Sequence, residues 1–153
     1  MVNLEHRIPP PVIGLLTTAL MWAMAAYGPR FAIEADLKHV LMGVLVLIGI
    51  AFDVLGILAF RDSRTTISPL RPERSSSLVT GGVYRITRNP MYVGMVFFLL
   101  AWSVFLSTLL PLAGIVVFVL YITRFQIQPE ERALERIFGE QYSAYCARVR
   151  RWI

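Results

Sequence analysis

Cysteine and histidine are almost absent from this chain of 153 residues, which has one Cys, Cys146, and two His, His6 and His39, far apart in sequence. A single thiol excludes an internal disulfide framework. Neither histidine has metal-ligand spacing, so no metal ion is expected and Cys146 reads as an inert thiol. Acids are scarce too, ten against fifteen Lys and Arg, for a net charge of +5. No glycine-rich turn runs from a strand into a helix, which excludes the soluble dinucleotide-binding fold as a template. Internal repeats and low-complexity tracts are also missing. What the chain has in excess is apolar side chains, 56% of its residues, with a mean hydropathy of +0.61. That exceeds the globular average and indicates a membrane protein. In a soluble chain the positive charge would suggest nucleic acid. Here the basic residues flank apolar runs, so the expected partner is membrane lipid, with no nucleic acid.

The expected fold is all-α and polytopic, a single domain with about four transmembrane helices over 12–27, 39–60, 91–107 and 109–125. A cytoplasmic C-terminal amphipathic helix follows. Pro9-Pro10-Pro11 precedes the first span and Gly28-Pro29 ends it. The third and fourth spans form a tight hairpin divided near Ser107, Thr108 and Pro111, each shorter than the usual ~20 residues. Of the fifteen basic residues, thirteen fall on one side of such a topology and two, Arg30 and Lys38, on the other. The positive-inside rule then puts both termini, 61–89 and 126–153 in the cytoplasm, in a bacterial inner membrane. In the second span Asp53 lies four residues after Gly49 and three before Gly56, so all three share a face. Small residues beside an acid predict close helix packing rather than lipid contact, and an intramembrane acid is also a functional candidate.

Thr80 to Gly94, T-G-G-V-Y-R-I-T-R-N-P-M-Y-V-G, carries an arginine-rich segment directly into an apolar one. Asn89 followed by Pro90 predicts a helix start, with Asn89 as N-cap and Pro90 at the first helical position. The free N–H groups there, with Arg88 beside them and Arg85 one turn away, make an anion site, and Gly81 and Gly82 permit a tight turn or close approach to a ligand. The other reading makes the arginines membrane anchors. Further on, Pro129 predicts the start of a charged helix with Glu130 and Glu131 in its first turn. Its apolar positions recur at helical steps through Val149, with a break at Gly139. Arg148, Arg150, Arg151 and Trp152 suit the headgroup zone.

Arg88-Asn89-Pro90-Met91-Tyr92-Val93-Gly94 resembles the R-H-P-x-Y-x-G motif of the integral-membrane methyltransferases typified by isoprenylcysteine carboxyl methyltransferase and the phospholipid N-methyltransferases. Pro129-Glu130-Glu131-Arg132-x-Leu134 and Phe138-Gly139-Glu140-x-Tyr142-x-x-Tyr145 resemble the tail motif of that family. The two matches cover Thr80 to Trp152, about half of the chain. The resemblance implies a methyltransferase using S-adenosyl-L-methionine on a lipophilic or small acceptor, such as an isoprenylcysteine-like carboxylate. It points to Arg88, Asn89, Pro90, Tyr92, Gly94, Glu130 and Glu131 for the cofactor. The Pro90 helix end and Arg88 suit the carboxylate of that cofactor, a glutamate suits its ammonium or ribose, and Tyr92 would contact the ring or close the pocket. Catalytic candidates are Arg124 and Glu130. Two departures bear on the acceptor: Asn89 replaces the usual His and cannot act as a base, and Gln126 stands four residues before Glu130, with the nearest arginine at Arg124. The alternatives are an NADPH-dependent membrane reductase of the steroid type and a non-enzymatic membrane partner protein.

Overall fold

The computed structural model describes residues 8–62 and 77–153. The readings made for His6, the N-terminal arm before Ile8, and Arg64, Pro69, Arg71, Pro72, Arg74, Ser75 and Ser76 lie outside the described residues. Among the described residues every extended element is a helix: α1 (Pro10–Ala25), α2 (Ala35–Asp62), α3 (Pro90–Leu106), α4 (Leu112–Ile122), α5 (Gln128–Phe138) and α6 (Glu140–Cys146). The all-α expectation is met. Among the described residues two helices are long and apolar enough to cross a membrane, α2 and the continuous helix from Leu112 to Phe138. The apolar α1 and α3 are shorter, at 16 and 17 residues.

That continuity corrects the sequence reading, in which a new helix began at Pro129. The helix instead runs on from α4 through a π-turn at Thr123–Ile127 into α5. A proline inside an α-helix removes one hydrogen bond and crowds the carbonyl four residues back, and a wider π-turn just before it relaxes that crowding. The break at Gly139 is present: its φ of 49° ends α5 and turns the chain into α6.

Helix α2 packs chiefly on α3, and glycines set how close they come. A methyl group on Gly94 would collide with Asp53 Oδ1 and come within 2.9 Å of the Gly49 carbonyl. A methyl on Gly49 would lie 2.7 Å from the Phe98 ring, and Gly56 faces Pro90 and Met91. The shared face read from Gly49, Asp53 and Gly56 is therefore the α3-facing side, as small residues at a helix crossing allow. Gly94→Ala is expected to cost roughly 1–3 kcal/mol by overpacking. Gly43→Ala, which meets nothing within 4 Å, is the control. Melting curves in detergent check this, and equal melting of the two variants would mean the crossing opens without cost.

A second layer joins α1, α3 and α4 around Met21, Phe118 and Ile122, all fully buried. The Trp102 indole donates to the Thr18 carbonyl at 3.1 Å, tying α3 to α1. At one end of the molecule Phe31 N–H donates to the Ser107 carbonyl at 3.0 Å, so the α1–α2 connector meets the α3–α4 turn. At the other end lie Arg61, the 77–89 segment and the C-terminal residues, which is where the candidate site forms.

Candidate active site

At this second end a cavity of about 600 Å³ opens between α2, the start of α3, α5 and α6. One wall is apolar, with Ile57 and Phe60 from α2, Met91, Met95 and Phe98 from α3, and Leu78 and Val79 from the segment before it. The rest of the lining includes polar and aromatic side chains: Tyr84, Arg88, Asn89, Glu130, Glu131, Tyr142 and Tyr145. Asp53 lines the cavity as well. The segment leading to α3 is fixed because Val79, Val83 and Tyr84 form a small buried cluster against Phe52, Ala59 and Phe60 of α2. Phe60 and Tyr84 meet edge to face at 5.5 Å. Gly82 has a φ of 57° and opens the 3-10 turn Gly82–Arg85, in which Tyr84 is buried.

Two stretches about forty residues apart are joined here by side chains. Tyr92 donates to Glu130 Oε1 at 2.7 Å, and Arg88 Nη2 pairs with Glu131 Oε1 at 3.1 Å. Glu131 is also gripped by Arg151, whose Nε and Nη2 reach its two oxygens at 3.0 and 2.6 Å, in the forked geometry that favours arginine. Those bonds hold the Arg151 guanidinium more firmly protonated than usual. Arg88 Nη1 donates to Cys146 Sγ, while Arg88 Nε is buried with no hydrogen-bond partner among the described residues. The Tyr145 hydroxyl donates to the Tyr84 carbonyl at 2.7 Å. Burial pushes the Tyr84, Tyr142 and Tyr145 hydroxyls above the ordinary phenol range, so they remain protonated donors.

The C-terminal residues lie beneath the turn into α3. Arg88 N–H donates to the Arg150 carbonyl at 3.0 Å, Thr87 Oγ1 to the Arg151 carbonyl at 3.2 Å, and Trp152 to Thr123 Oγ1 at 3.2 Å. The sequence reading made Arg151 and Trp152 headgroup anchors and Cys146 an inert thiol. In the structure Arg151 and Cys146 bind the site residues directly, because the turn after α6 folds the tail back onto α5.

Asn89 also differs from expectation. α3 does start at Pro90, yet the Asn89 side chain makes no cap hydrogen bond; its amide donates to the Arg151 carbonyl at 2.8 Å instead. The tail offers that carbonyl, while Thr87 Oγ1 takes the Asn89 N–H at 3.1 Å. An N-cap tolerates Asp as well as Asn. Here Asn89→Asp places a carboxylate against a carbonyl, so it should be the worse of two variants, with Asn89→Ala costing about 0.5–1.5 kcal/mol. Melting curves decide it, and an Asp variant as stable as the wild type would restore the cap assignment.

Of the residues singled out in the sequence, Arg88, Asn89, Pro90, Tyr92, Glu130 and Glu131 line the one cavity. Gly94 is buried at the helix crossing and lines none of it, Arg85 is exposed, and Gly81 and Gly82 are exposed at the turn. Arg124 is exposed on the π-turn over the Phe125 ring, outside the cavity walls. Gln126 is fully buried and donates to the Ile8 carbonyl at 2.8 Å. Sequence reading missed Tyr84 and the cavity-facing role of Tyr142 and Tyr145, although the three-residue spacing of the last two already put them on one helix face.

The family described as Phospholipid methyltransferase matches residues 37–141, a span that holds most of α2, all of α3, Glu130 and Glu131. Protein-S-isoprenylcysteine O-methyltransferase B of Arabidopsis thaliana is 34% identical over 110 residues, 69% of this chain and 53% of that protein. The Xenopus laevis protein-S-isoprenylcysteine O-methyltransferase is 34% identical over 149 residues, 88% of this chain and 51% of that protein. An uncharacterized protein of Haemophilus influenzae is 43% identical over 63 residues, its whole length and 41% of this chain. The chain thus spans about half the length of the methyltransferases it matches. With the family match covering more than half of its residues, the chain belongs to the phospholipid methyltransferase family.

Proposed function

We propose that this chain is an integral-membrane methyltransferase that uses S-adenosyl-L-methionine and acts on a lipophilic or small acceptor. The observation that carries the reading is the junction of two distant motifs by the Tyr92–Glu130 and Arg88–Glu131 contacts in the lining of a cavity that also has many apolar side chains. Its volume is in the range of small-molecule sites, roughly 300–1,000 Å³. The residues fit the cofactor on an observation independent of family: the buried Arg88 Nε lacks a partner among the described residues and is free to take an acceptor such as a carboxylate. The N–H groups of Met91 and Tyr92, at the positive end of α3, add donors near the same place. Glu130, held by Tyr92, suits an ammonium or ribose hydroxyls. When bound, the cofactor supplies a methyl carbon activated by an adjacent sulfonium. The protein's contribution is then to hold donor and acceptor in line and keep water out, which the packed Phe60–Tyr84 and α2–α3 contacts favour. In this reading all four apolar helices lie in the membrane, with the site at the cytoplasmic end, the side the basic residues mark.

Calorimetric titration of the purified chain in detergent tests the proposal. S-adenosylhomocysteine should bind and NADPH should not. Binding of NADPH alone would make it a reductase, and binding of neither would make it a non-enzymatic membrane protein.

A further inference from the structure

We propose that the junction of the C-terminal tail with the turn into α3 is a docking surface for an anionic phospholipid headgroup, and that occupancy there tightens cofactor binding in the cavity. The inference rests on the membrane methyltransferase reading and adds the regulation of its site. The tail passes between the ends of two apolar helices: the Arg150 carbonyl takes the Arg88 N–H, two residues before α3 begins, and the Trp152 indole donates to Thr123 Oγ1, one residue after α4 ends. With α3 and α4 in the bilayer, this is headgroup depth. Ile86 and Ile153 are large apolar side chains left exposed here, and the side chains of Arg85 and Arg150 are exposed beside them. Apolar groups interleaved with basic ones suit a bilayer surface better than a dissolved anion.

The charges at this junction do not balance among the described residues. Backbone bonds join the turn that carries Arg85 and Arg88 to the tail that carries Arg150 and Arg151, and the acid paired there is Glu131, shared by Arg88 and Arg151. Glu130 is turned to Tyr92. No ion pair engages Arg85 or Arg150 among the described residues. Docking the tail therefore brings like charges toward one another, and a phosphate between them offsets that repulsion while gaining charged hydrogen bonds. The same junction holds the cavity residues: the Arg151 carbonyl accepts from Asn89 and Thr87, and its guanidinium grips the Glu131 that pairs with Arg88. A ligand that favours the docked tail thus favours this arrangement of Arg88, Asn89 and Glu131, which all line the cavity. The coupling is reciprocal, so cofactor should tighten lipid binding in turn.

The test uses the full chain in nanodiscs of phosphatidylcholine alone and of equal parts phosphatidylcholine and phosphatidylglycerol, with affinity for S-adenosylhomocysteine read by calorimetry. Wild type should bind roughly fivefold or more tightly with phosphatidylglycerol present. Arg85→Gln/Arg150→Gln should lose that gain while keeping the affinity seen in phosphatidylcholine alone, whereas Arg132→Gln/Arg136→Gln, which removes the same charge from α5, should keep the gain. Glycerol phosphate added to the phosphatidylcholine discs should change nothing. Because substitutions can disturb folding, amide exchange in the wild type supplies a second readout: phosphatidylglycerol should slow the Arg88 N–H, whose acceptor is in the tail, and leave α1 unchanged. Equal affinity in the two lipids, a gain kept by the Arg85 and Arg150 variant or lost by the α5 variant, tightening by dissolved glycerol phosphate, or unchanged exchange at Arg88 each overturns the proposal. If S-adenosylhomocysteine binds in neither disc while exchange at Arg88 still slows, the lipid surface stands and the methyltransferase reading fails.

Discussion

Glu131→Gln is expected to lower stability by about 3 kcal/mol and to weaken binding of S-adenosylhomocysteine as a consequence. Glu131 lies between two guanidiniums, Arg88 at 3.1 Å and Arg151 at 2.6 Å, with only 17% of its side chain exposed. Losing the central charge leaves both arginines close together without a counter-ion. The magnitude sits where the range for a charged hydrogen bond meets that for breaking a buried pair. Because Arg151 is the more exposed partner, at 36%, removing it as well should relieve part of the repulsion. The double variant Glu131→Gln/Arg151→Met should therefore be more stable than the sum of its single changes predicts. Melting curves and calorimetry on the four proteins give the cycle. Strict additivity, with melting near wild type throughout, would mean that the C-terminal tail does not hold the site.

Glu130→Gln should behave in the opposite manner, with melting near wild type and affinity for S-adenosylhomocysteine reduced tenfold or more. The Gln carbonyl still accepts the Tyr92 hydroxyl, so the link between α3 and α5 survives. What is lost is the carboxylate available to pair with the ligand's ammonium, and a charged hydrogen bond is worth about 1.5–3 kcal/mol. Tyr92→Phe separates charge from position: it leaves the carboxylate in place but removes the hydroxyl that aims it, and a smaller loss of affinity is expected. Glu140→Gln, at the exposed start of α6, is the control. If all three variants bind alike, Glu130 does not contact the ligand.

The all-helical class and the main breaks were readable in the residues themselves. Gly28-Pro29 follows α1, Pro90 opens α3, and Gly139 separates α5 from α6. Each depends on a local backbone constraint, a missing N–H or a positive φ, that neighbours in space do not change. The shared face of Gly49, Asp53 and Gly56 was readable for the same reason, since helical periodicity fixes it before any partner is present. The family motifs likewise indicated which residues gather, and six of the seven cofactor candidates do line the cavity.

What each of those side chains touches was decided by tertiary structure. Asn89 looked like a cap because the preference is local, yet its amide is taken by the Arg151 carbonyl from 62 residues away. Arg151 looked like a membrane anchor because basic residues at a chain end usually are, and only the fold of the tail onto α5 turns it toward Glu131. Pro129 signalled a helix start, but the π-turn before it let the helix continue and kept Glu130 in reach of Tyr92. Sequence determined where the chain can bend and which faces are apolar. Which polar group meets which depended on long-range contacts, whose free energy comes from three-dimensional proximity and leaves no periodic mark in the chain.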